Sequence, residues 1–307
     1  MRAAVVNEVG STPEYVDFQD PQAGDGLEVA EVVVAGLNPV DVFIANGMYG
    51  PVQPPFVAGL EGVARLGDGR HVYFSGAPAP FGSMAERVPV DPDATFAVPD
   101  GLDPGVAVAL GIAGLAGWLP LEARAQVRAG ETVLVIGATG VVGRVGVQAA
   151  RLLGAGRVVA AGRDRASLDE VRAIGADDVV VLEGDLEEAF GSAAGDGYDV
   201  VLDAVFGPAL QAALPATAPG ARIVTVGAGA GPEITLAIGS LAGRTLIGHV
   251  NGCVAEDVRR AAYERMARHA AAGELRVEVE TVPLAQIAEA WQRQAQGSPH
   301  RKIVLAP

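Results

Sequence analysis

The chain contains few cysteines, lysines and aromatic residues. Its 307 residues include one cysteine, Cys253, and one lysine, Lys302, and aromatic residues make up 5% of the total. One cysteine permits no internal disulfide and cannot build a zinc site from thiolates, which suits a reducing compartment. A reaction that requires a lysine must therefore use Lys302.

Membrane and secretory signals are also lacking in the sequence. No run of about 18 apolar residues occurs without charges or turn residues, and the N-terminal stretch M-R-A-A-V-V-N-E has no apolar core of a secretory signal. We therefore expect a soluble, cytoplasmic protein with no membrane partner. The formal net charge of −15 repels phosphate backbones, so nucleic acid is not an expected partner either.

The pattern of apolar residues predicts an α/β protein of two domains. Residues 1–110 hold short β segments broken by Gly and Pro, which indicates a small β-barrel-like domain. In residues 111–250, continuous apolar strands alternate with helical patterns, as in a doubly wound domain with a parallel sheet. Residues 251–307 contain a long amphipathic helix ended by Gly273, a second helix near 283–296 and a closing strand. This segment is too short for a third domain, so we expect it to pack on both others.

A glycine-rich turn in the second domain predicts a nucleotide site. In E-T-V-L-V-I-G-A-T-G-V-V-G an apolar strand runs directly into A-x-G-x-x-G, which opens a helix. Gly140 lets the backbone approach a pyrophosphate, Gly143 lets helix and strand pack closely, and the helix N-terminus offers N–H groups to the anion. The predicted cofactor-binding residues of this turn are Ala138, Thr139, Gly140, Val141, Val142 and Gly143.

The next strand, R-V-V-A-A, favours NADPH over NADH. It ends in G-R-D-R, which places Arg163 at its tip and Arg165 two residues further on. An acidic residue there would accept from the ribose 2′-hydroxyl of NAD, whereas a guanidinium fits the 2′-phosphate of NADP. The alternative is a solvated turn whose arginines pair with Asp164 and Asp169.

The order of several motifs gives the chain a family resemblance. G-L-N-P-V-D-V-F-I-A-N-G-M-Y, P-F-V-A-G-L-E-G-V, G-S-M-A-E, the glycine-rich turn, Y-D-V-V-L-D-A-V and the terminal R-K-I-V-L follow one another along the whole chain. Together they resemble the zinc-independent quinone oxidoreductases of the medium-chain dehydrogenase/reductase superfamily. The resemblance implies a GroES-like β-barrel catalytic domain, a Rossmann domain that binds NADP, a C-terminal return to the catalytic domain, and a homodimer.

The resemblance also implies that no zinc is bound. In zinc-containing relatives the position that matches Asn38 is a ligand cysteine, and the position that matches Leu60 is a ligand histidine. The region of the third ligand, V-A-L-G-I-A-G-L-A-G-W, contains neither residue type. An asparagine and a leucine cannot hold a tetrahedral zinc ion.

Residues 36–49 are the candidate acceptor-binding segment. Asn38 can donate a hydrogen bond to substrate or cofactor, or it can cap the turn before Pro39. Tyr49 can hydrogen-bond a developing oxyanion or relay a proton to it, or its ring can be packed in the core. We expect Asp41 to cap a helix across residues 41–46. Asn38 and Tyr49 are the predicted catalytic residues, and further cofactor contacts are predicted at Val205, Gly227, Asn251 and Lys302, the last of which could instead be a solvated strand end.

The predicted activity is hydride transfer from NADPH to an electron-poor acceptor, first of all a quinone. Without a zinc ion to polarise a carbonyl, such acceptors remain feasible substrates. An enone or enoyl reductase that acts on an α,β-unsaturated carbonyl compound is the alternative. A nucleotide-binding protein with a structural, sensory or RNA-binding role is another, because Phe43 and Met84 stand where many relatives carry tyrosine hydroxyls.

Overall fold

The computed structural model describes residues 1–297 and 300–307. They form two compact units. Unit 1 comprises Met1–Ala113 and Tyr263–Pro307, and unit 2 comprises Gly114–Ala262. The first division lies close to the predicted one, whereas the C-terminal segment 251–307 is split between the units at residue 262.

Unit 1 contains ten strands and three helices in its described residues. In chain order they are β1 (Arg2–Val6), β2 (Glu14–Asp17), β3 (Glu28–Gly36), α1 (Pro39–Ala45), β4 (Phe56–Val57), β5 (Glu61–Arg65), β6 (His71–Ser75), β7 (Arg87–Val90), β8 (Phe96–Ala97) and α2 (Pro104–Ala109), with β15 (Val279–Pro283), α9 (Ile287–Gln296) and β16 (Lys302–Ala306) from the C-terminal part.

Two sheets make up the core of unit 1. Seven strands form the larger sheet, in the order β15-β16-β3-β5-β6-β8 with β7 added to β3, and the smaller sheet has the order β2-β1-β4. The closing strand β16 pairs antiparallel with β3, with Val304 opposite Gly36. This register brings the start of β16 beside the end of β3, where Leu37 N donates to Ile303 O at 3.1 Å.

Unit 2 contains the elements between these parts. They are α3 (Leu115–Leu119), β9 (Thr132–Ile136), α4 (Val141–Leu152), β10 (Arg157–Gly162), α5 (Arg165–Ala173), β11 (Asp178–Val181), α6 (Leu186–Ala194), β12 (Tyr198–Asp203), α7 (Pro208–Ala213), β13 (Thr217–Thr225) and β14 (Thr245–Gly248), and α8 (Glu256–Ala271) runs from unit 2 into unit 1.

The sheet of unit 2 is parallel and doubly wound, which confirms the predicted α/β class. Its strand order is β11-β10-β9-β12-β13-β14, and every neighbouring pair is parallel. Residues 133–136 of β9 are completely buried, because helices cover both faces of such a sheet. The chain order reverses between β9 and β12, and ligands of this fold class bind at that switch point.

One helical run could span a bilayer by length and composition alone. Pro104–Ala125 has 22 residues and a mean hydropathy of 1.7 over its most apolar window, of which 72% is buried inside the structure. The core helix of a globular protein has the same properties. The glycines of this run and Pro120, which look like turn residues in the sequence, lie within helical turns, although the backbone leaves helical geometry at Gly111 (φ −68°, ψ −115°).

Candidate active site

The predicted cofactor residues of unit 2 follow the carboxyl ends of neighbouring parallel strands. The glycine-rich turn follows β9, Arg163 and Arg165 follow β10, and Val205, Gly227 and Asn251 follow β12, β13 and β14. Because the strands are parallel, all these residues lie along one edge of the sheet. The structure therefore brings together every predicted cofactor residue except Lys302, which belongs to unit 1.

The glycine-rich turn has the close packing that a pyrophosphate site needs. Gly137 has φ +79°, and a Cβ there would lie 2.8 Å from Val205 Cγ1. A Cβ at Gly143 would overlap the Gly137 carbonyl oxygen, so α4 starts directly against the turn. The N-cap residue Gly140 makes no side-chain cap, which leaves the first N–H groups of α4 available to an anion. These residues fit the pyrophosphate of a dinucleotide.

Arg144 holds this turn in place and was not predicted. Its side chain is buried, its Nε donates to Thr139 O at 3.0 Å, and its guanidinium forms an ion pair with Glu170 on α5. An arginine one residue after the last motif glycine resembles a solvated helix residue in the sequence. Only the tertiary neighbours reveal that it links the turn to the next helix.

The end of β10 presents one exposed guanidinium without a partner. A Cβ at Gly162 would lie 2.8 Å from Thr139 Cγ2, so the strand end approaches the glycine-rich turn closely. Arg163 is exposed and has no hydrogen-bond or ion-pair partner within residues 1–297 and 300–307. Arg165 forms an ion pair with Glu183, beyond the end of β11.

A buried carboxyl group shapes the loop after β12. Asp203 accepts hydrogen bonds from Val205 N at 3.1 Å and from Phe206 N at 3.0 Å. Burial raises the pKa of Asp203, and these backbone bonds oppose the increase. They hold Phe206 at φ +59°, an unusual conformation for a side chain of this size. The predicted cofactor residue Val205 is thus fixed by a carboxylate that the sequence shows only as the last residue of a strand.

A histidine orients the predicted cofactor residue after β14. His249 N donates to Thr225 O at 2.8 Å, and its ring Nε2 lies 2.9 Å from Asn251 Oδ1. Burial lowers the pKa of His249, so the ring is neutral at physiological pH and Nε2 is the protonated nitrogen that donates to Asn251. Just beyond β13, a Cβ at Gly227 would overlap the Ala204 carbonyl oxygen, which explains the glycine there.

Unit 1 contains a buried polar cluster that includes the predicted site residues Asn38 and Lys302. Lys302 and Glu61 have side chains that are 2% and 0% exposed, and their Nζ and Oε1 atoms lie 2.7 Å apart. Lys302 Nζ also donates to Asn38 Oδ1 at 2.5 Å. Asn38 Nδ2 in turn donates to Glu61 Oε1 at 2.8 Å. The side-chain amide of Asn38 is therefore bonded on both ends inside the protein.

Asp41 joins this cluster through the start of α1. The helix covers Pro39–Ala45, so it begins earlier than the expected helix 41–46, and Asn38 rather than Asp41 occupies its N-cap position, without a side-chain cap hydrogen bond. Asp41 Oδ2 accepts from Asn38 N at 2.8 Å, and Oδ1 accepts from Leu60 N at 3.0 Å. Burial raises the pKa of Asp41 to about 7, against the opposing effects of the Asn38 N–H and of Lys302.

The second oxygen of Glu61 bonds two further segments. Tyr73 Oη donates to Glu61 Oε2 at 2.9 Å, and Ile112 N donates to the same atom at 2.6 Å. Burial and the Glu61 carboxylate raise the pKa of Tyr73 well above its usual value. The Tyr73 ring stacks on Tyr263, with 4.9 Å between ring centroids. Glu61 is thus the centre of the cluster, although it was not among the predicted site residues.

The structure gives the surroundings of the predicted site residues Lys302, Asn38 and Tyr49. Lys302 is not a solvated strand end, because its side chain is 2% exposed and its ammonium group donates to Glu61 and Asn38. Asn38 occupies the N-cap position of α1, but its side-chain amide is bonded to Lys302 and Glu61 and makes no side-chain cap. Tyr49 follows α1, and 68% of its surface is exposed, so it is not a packed core ring.

The residues around Asn38 do not fit a zinc ion. Asn38 is bonded to an ammonium group, and Leu60 offers no side-chain ligand atom. Among the residues that the structure describes, no group of three or more His, Cys, Asp or Glu side chains could hold a metal ion.

Comparison with known proteins gives matches of three kinds. A family model described as zinc-binding dehydrogenase matches residues 141–268. Quinone oxidoreductase-like protein 2 of Bos taurus is 31% identical over 240 residues, which cover 74% of this chain and 68% of that protein. A phenolphthiocerol/phthiocerol polyketide synthase of Mycobacterium tuberculosis is 30% identical over 306 residues, or 92% of this chain. The chain spans 14% of the length of that synthase.

A solved structure is similar over the full length. The quinone oxidoreductase of Thermus thermophilus, whose structure was also determined in complex with NADPH, is 30% identical to this chain. The TM-score is 0.82, and the match covers 100% of both chains. The similarity therefore includes both units and the C-terminal segment.

Proposed function

Because the chain belongs to the quinone oxidoreductase-like branch of the medium-chain dehydrogenase/reductase superfamily, we propose that it is an NADPH-dependent reductase that transfers a hydride to an electron-poor acceptor, with a quinone as the first candidate. The observation that carries the proposal is the glycine-rich turn at the switch point of the parallel sheet, next to the exposed Arg163. The NADPH complex of the Thermus thermophilus relative supports the choice of cofactor. We also propose that the protein acts in the cytoplasm.

The residues of unit 2 have separate roles in holding the cofactor. The N–H groups at the start of α4 bind the pyrophosphate, and Arg163 binds the 2′-phosphate. Arg165 is bonded to Glu183 and would have to leave this partner to assist. Val205, Gly227 and Asn251 bind the nicotinamide half along the same edge. When bound, NADPH supplies the hydride.

The segment 36–49 of unit 1 binds the acceptor in this proposal. The exposed hydroxyl of Tyr49 donates a hydrogen bond to the acceptor oxygen that gains negative charge. Phe43 and Met48 are also exposed and offer apolar surface to a planar ring. Asn38 acts within the protein, since both ends of its amide are already bonded.

An enoyl or enone reductase is the second candidate function. The similarity to a polyketide synthase over 92% of this chain favours it. An α,β-unsaturated carbonyl compound accepts hydride at carbon and develops an enolate oxygen, which needs the same hydrogen bond as a quinone oxygen. The cofactor site therefore serves both acceptors equally.

The role of Arg163 can be measured by cofactor binding. We expect Arg163→Ser to weaken NADPH binding by about 10-fold to 100-fold, the value of a charge-assisted hydrogen bond to phosphate, and to leave NADH binding unchanged. Arg165→Ser is the matched control and should have the smaller effect. Fluorescence titration gives both dissociation constants. Equal affinity of the wild-type protein for NADPH and NADH would contradict the assignment.

The acceptor is identified by oxidation of NADPH in the presence of EDTA. Quinones, enones and enoyl thioesters are compared at equal concentration, and the largest kcat/KM selects the class. Tyr49→Phe should lower kcat for that acceptor while the NADPH affinity stays unchanged. No turnover on any acceptor would favour a nucleotide-binding protein without catalysis, and loss of activity to the chelator would contradict a zinc-independent reaction.

A further inference from the structure

The buried ion pair of Lys302 and Glu61 connects parts of unit 1 that are far apart in the sequence. Lys302 begins the closing strand β16, and Glu61 begins β5. Through hydrogen bonds of 2.5 to 2.9 Å the pair reaches Asn38 before α1, Tyr73 on β6 and the backbone of Ile112. All charged atoms of the pair thus have specific hydrogen-bond partners.

A buried ion pair stabilises a fold inefficiently, because both charges lose their hydration. Moving two charges out of water costs several kcal/mol per ion, and apolar residues of similar volume often stabilise a protein equally well or better. The surrounding strands are apolar: Ile303, Val304 and Leu305 follow Lys302, and all three are completely buried. An apolar residue at position 302 would continue that pattern, so the charges have another role than stability.

The geometry indicates which part of the chain the pair controls. Asn38 Oδ1 accepts a hydrogen bond from the Lys302 ammonium, and Asn38 Nδ2 donates one to the Glu61 carboxylate. The two charged groups therefore fix the side chain of Asn38 from both ends. Asn38 is the N-cap of α1, and Asp41 of the same helix accepts from its backbone N–H. The orientation of Asn38 therefore sets the start of the segment 36–49.

The same pair controls the break in the helical run after α2. The backbone leaves helical geometry at Gly111, and the next N–H, that of Ile112, donates to Glu61 Oε2 at 2.6 Å. A Cβ at Gly111 would overlap the Tyr73 ring and Glu61 Oε2. The carboxylate thus holds a specific kink in place.

We propose that Lys302 and Glu61 are positioning residues: their buried ion pair fixes Asn38 and the Ile112 backbone, and through Asn38 it fixes the acceptor-binding segment 36–49. The Lys302 ammonium thus orients the side-chain oxygen of Asn38, as a bound metal cation orients its ligands. The inference rests on the proposed function, because it assigns the acceptor to that segment. In this proposal Lys302 positions Asn38 and does not contact the cofactor.

The test compares single and double replacements. Lys302→Met leaves the Glu61 carboxylate buried without its cation and should lower the Tm strongly. Glu61→Gln combined with Lys302→Met removes both charges at nearly constant volume and should recover most of that Tm. The matched control is Glu280→Gln with Arg293→Met, which neutralises another ion pair of unit 1 at the protein surface.

The kinetic result separates positioning from stability. In the double variant of Glu61 and Lys302 we expect kcat/KM for the acceptor to fall by about 10-fold to 100-fold, mainly through KM, because the segment is displaced. The dissociation constant of NADPH should stay unchanged, since the cofactor residues lie in unit 2. The control double variant should keep the wild-type kinetics. A double variant with restored Tm and wild-type KM and kcat would overturn the proposal.

Hydrogen exchange tests the inference without turnover. Backbone amides of residues 36–49 and 110–113 should exchange faster in Lys302→Met and in the milder Tyr73→Phe, which removes one hydrogen bond to Glu61 and keeps the ring. Amides of the β9–β10 region should be unaffected. If the wild-type protein reduces no acceptor, the proposed function fails. Hydrogen exchange still tests whether the ion pair fixes residues 36–49. Unchanged exchange of residues 36–49 in both variants would overturn the proposal.

Discussion

The carboxyl group of Asp41 is fully buried and accepts hydrogen bonds from three N–H groups. Its pKa is raised from the usual 3.8 to about 7, first by burial. A group whose pKa is higher in the folded than in the unfolded protein binds its proton more tightly when folded. Its contribution to stability is therefore present below about pH 4 and is lost as the pH rises to about 7.

This sign gives a prediction for Asp41→Asn. The wild-type protein should lose unfolding free energy between about pH 4 and 7 through this residue, at up to about 1.4 kcal/mol per pH unit, whereas the variant should not. Urea denaturation at several pH values measures the difference. Asp103→Asn, which changes an exposed N-cap carboxylate of α2, is the control and should keep the wild-type slope. Parallel pH profiles of wild type and Asp41→Asn would contradict the prediction.

Single residues were predicted best where a local pattern determines their role. The glycine-rich turn could be placed because strand, turn and helix follow each other directly, as β9 and α4 show. The partners Glu61 and Lys302 are separated by 241 residues, and no local pattern shows that they meet. One signal was present: each begins a strand whose next three residues carry no charge, and two such charges of opposite sign are expected to pair when both are buried.

At the scale of elements, the contact between the glycine-rich turn and α4 determines whether the cofactor edge can form. A Cβ at Gly143 would overlap backbone atoms of Gly137 and Ala138, which cannot move without shifting the helix. We expect Gly143→Ala to destabilise the protein by about 1 to 3 kcal/mol, as overpacking does, and to weaken NADPH binding. Gly229→Ala, where a Cβ meets nothing within 4 Å, is the control. Equal Tm and NADPH affinity of the two variants would exclude this packing role.

At the end of the helical run before β9, a substitution is expected to stabilise the protein. Gln126 is exposed and has φ +51°, a left-handed conformation in which glycine is most stable. Gln126→Gly should therefore increase the unfolding free energy by about 1 kcal/mol, and Gln126→Ala should not. Urea denaturation of the three proteins provides the comparison. A glycine variant less stable than the alanine variant would show that backbone strain is not relieved there.

The elements themselves were predicted well where their pattern is regular. The strands β9 and β10 were predicted from their continuous apolar residues, and the long helix α8 was predicted from its amphipathic pattern and from Gly273, which has φ +74°. The run Pro104–Ala125 was not recognised as helical. Its many glycines and its proline normally interrupt helices, and tertiary contacts such as the Glu61 carboxylate at Ile112 compensate for them.

At the scale of the whole molecule, the homodimer implied by the family resemblance remains a prediction. The strand β14 forms an edge of the six-stranded sheet, and an unpaired edge can bind an identical strand. Light scattering should give twice the chain mass of 31.1 kDa. A monomer at micromolar concentration would contradict the dimer and would leave the proposed activity untouched.

The position of Lys302 has a consequence for the reactivity of the protein as a whole. Its amine is enclosed, and the amine of Met1 is bonded to Phe18 O and Asp20 Oδ1. Over the described part of the chain, the strong cations at the surface are therefore guanidinium groups. Acetylating agents, bifunctional amine cross-linkers and enzymes that conjugate lysine side chains should react with Lys302 at the rate at which β16 detaches. The extent of acetylation at Lys302 therefore measures how often β16 detaches from the core, and no substitution has to be introduced for this measurement.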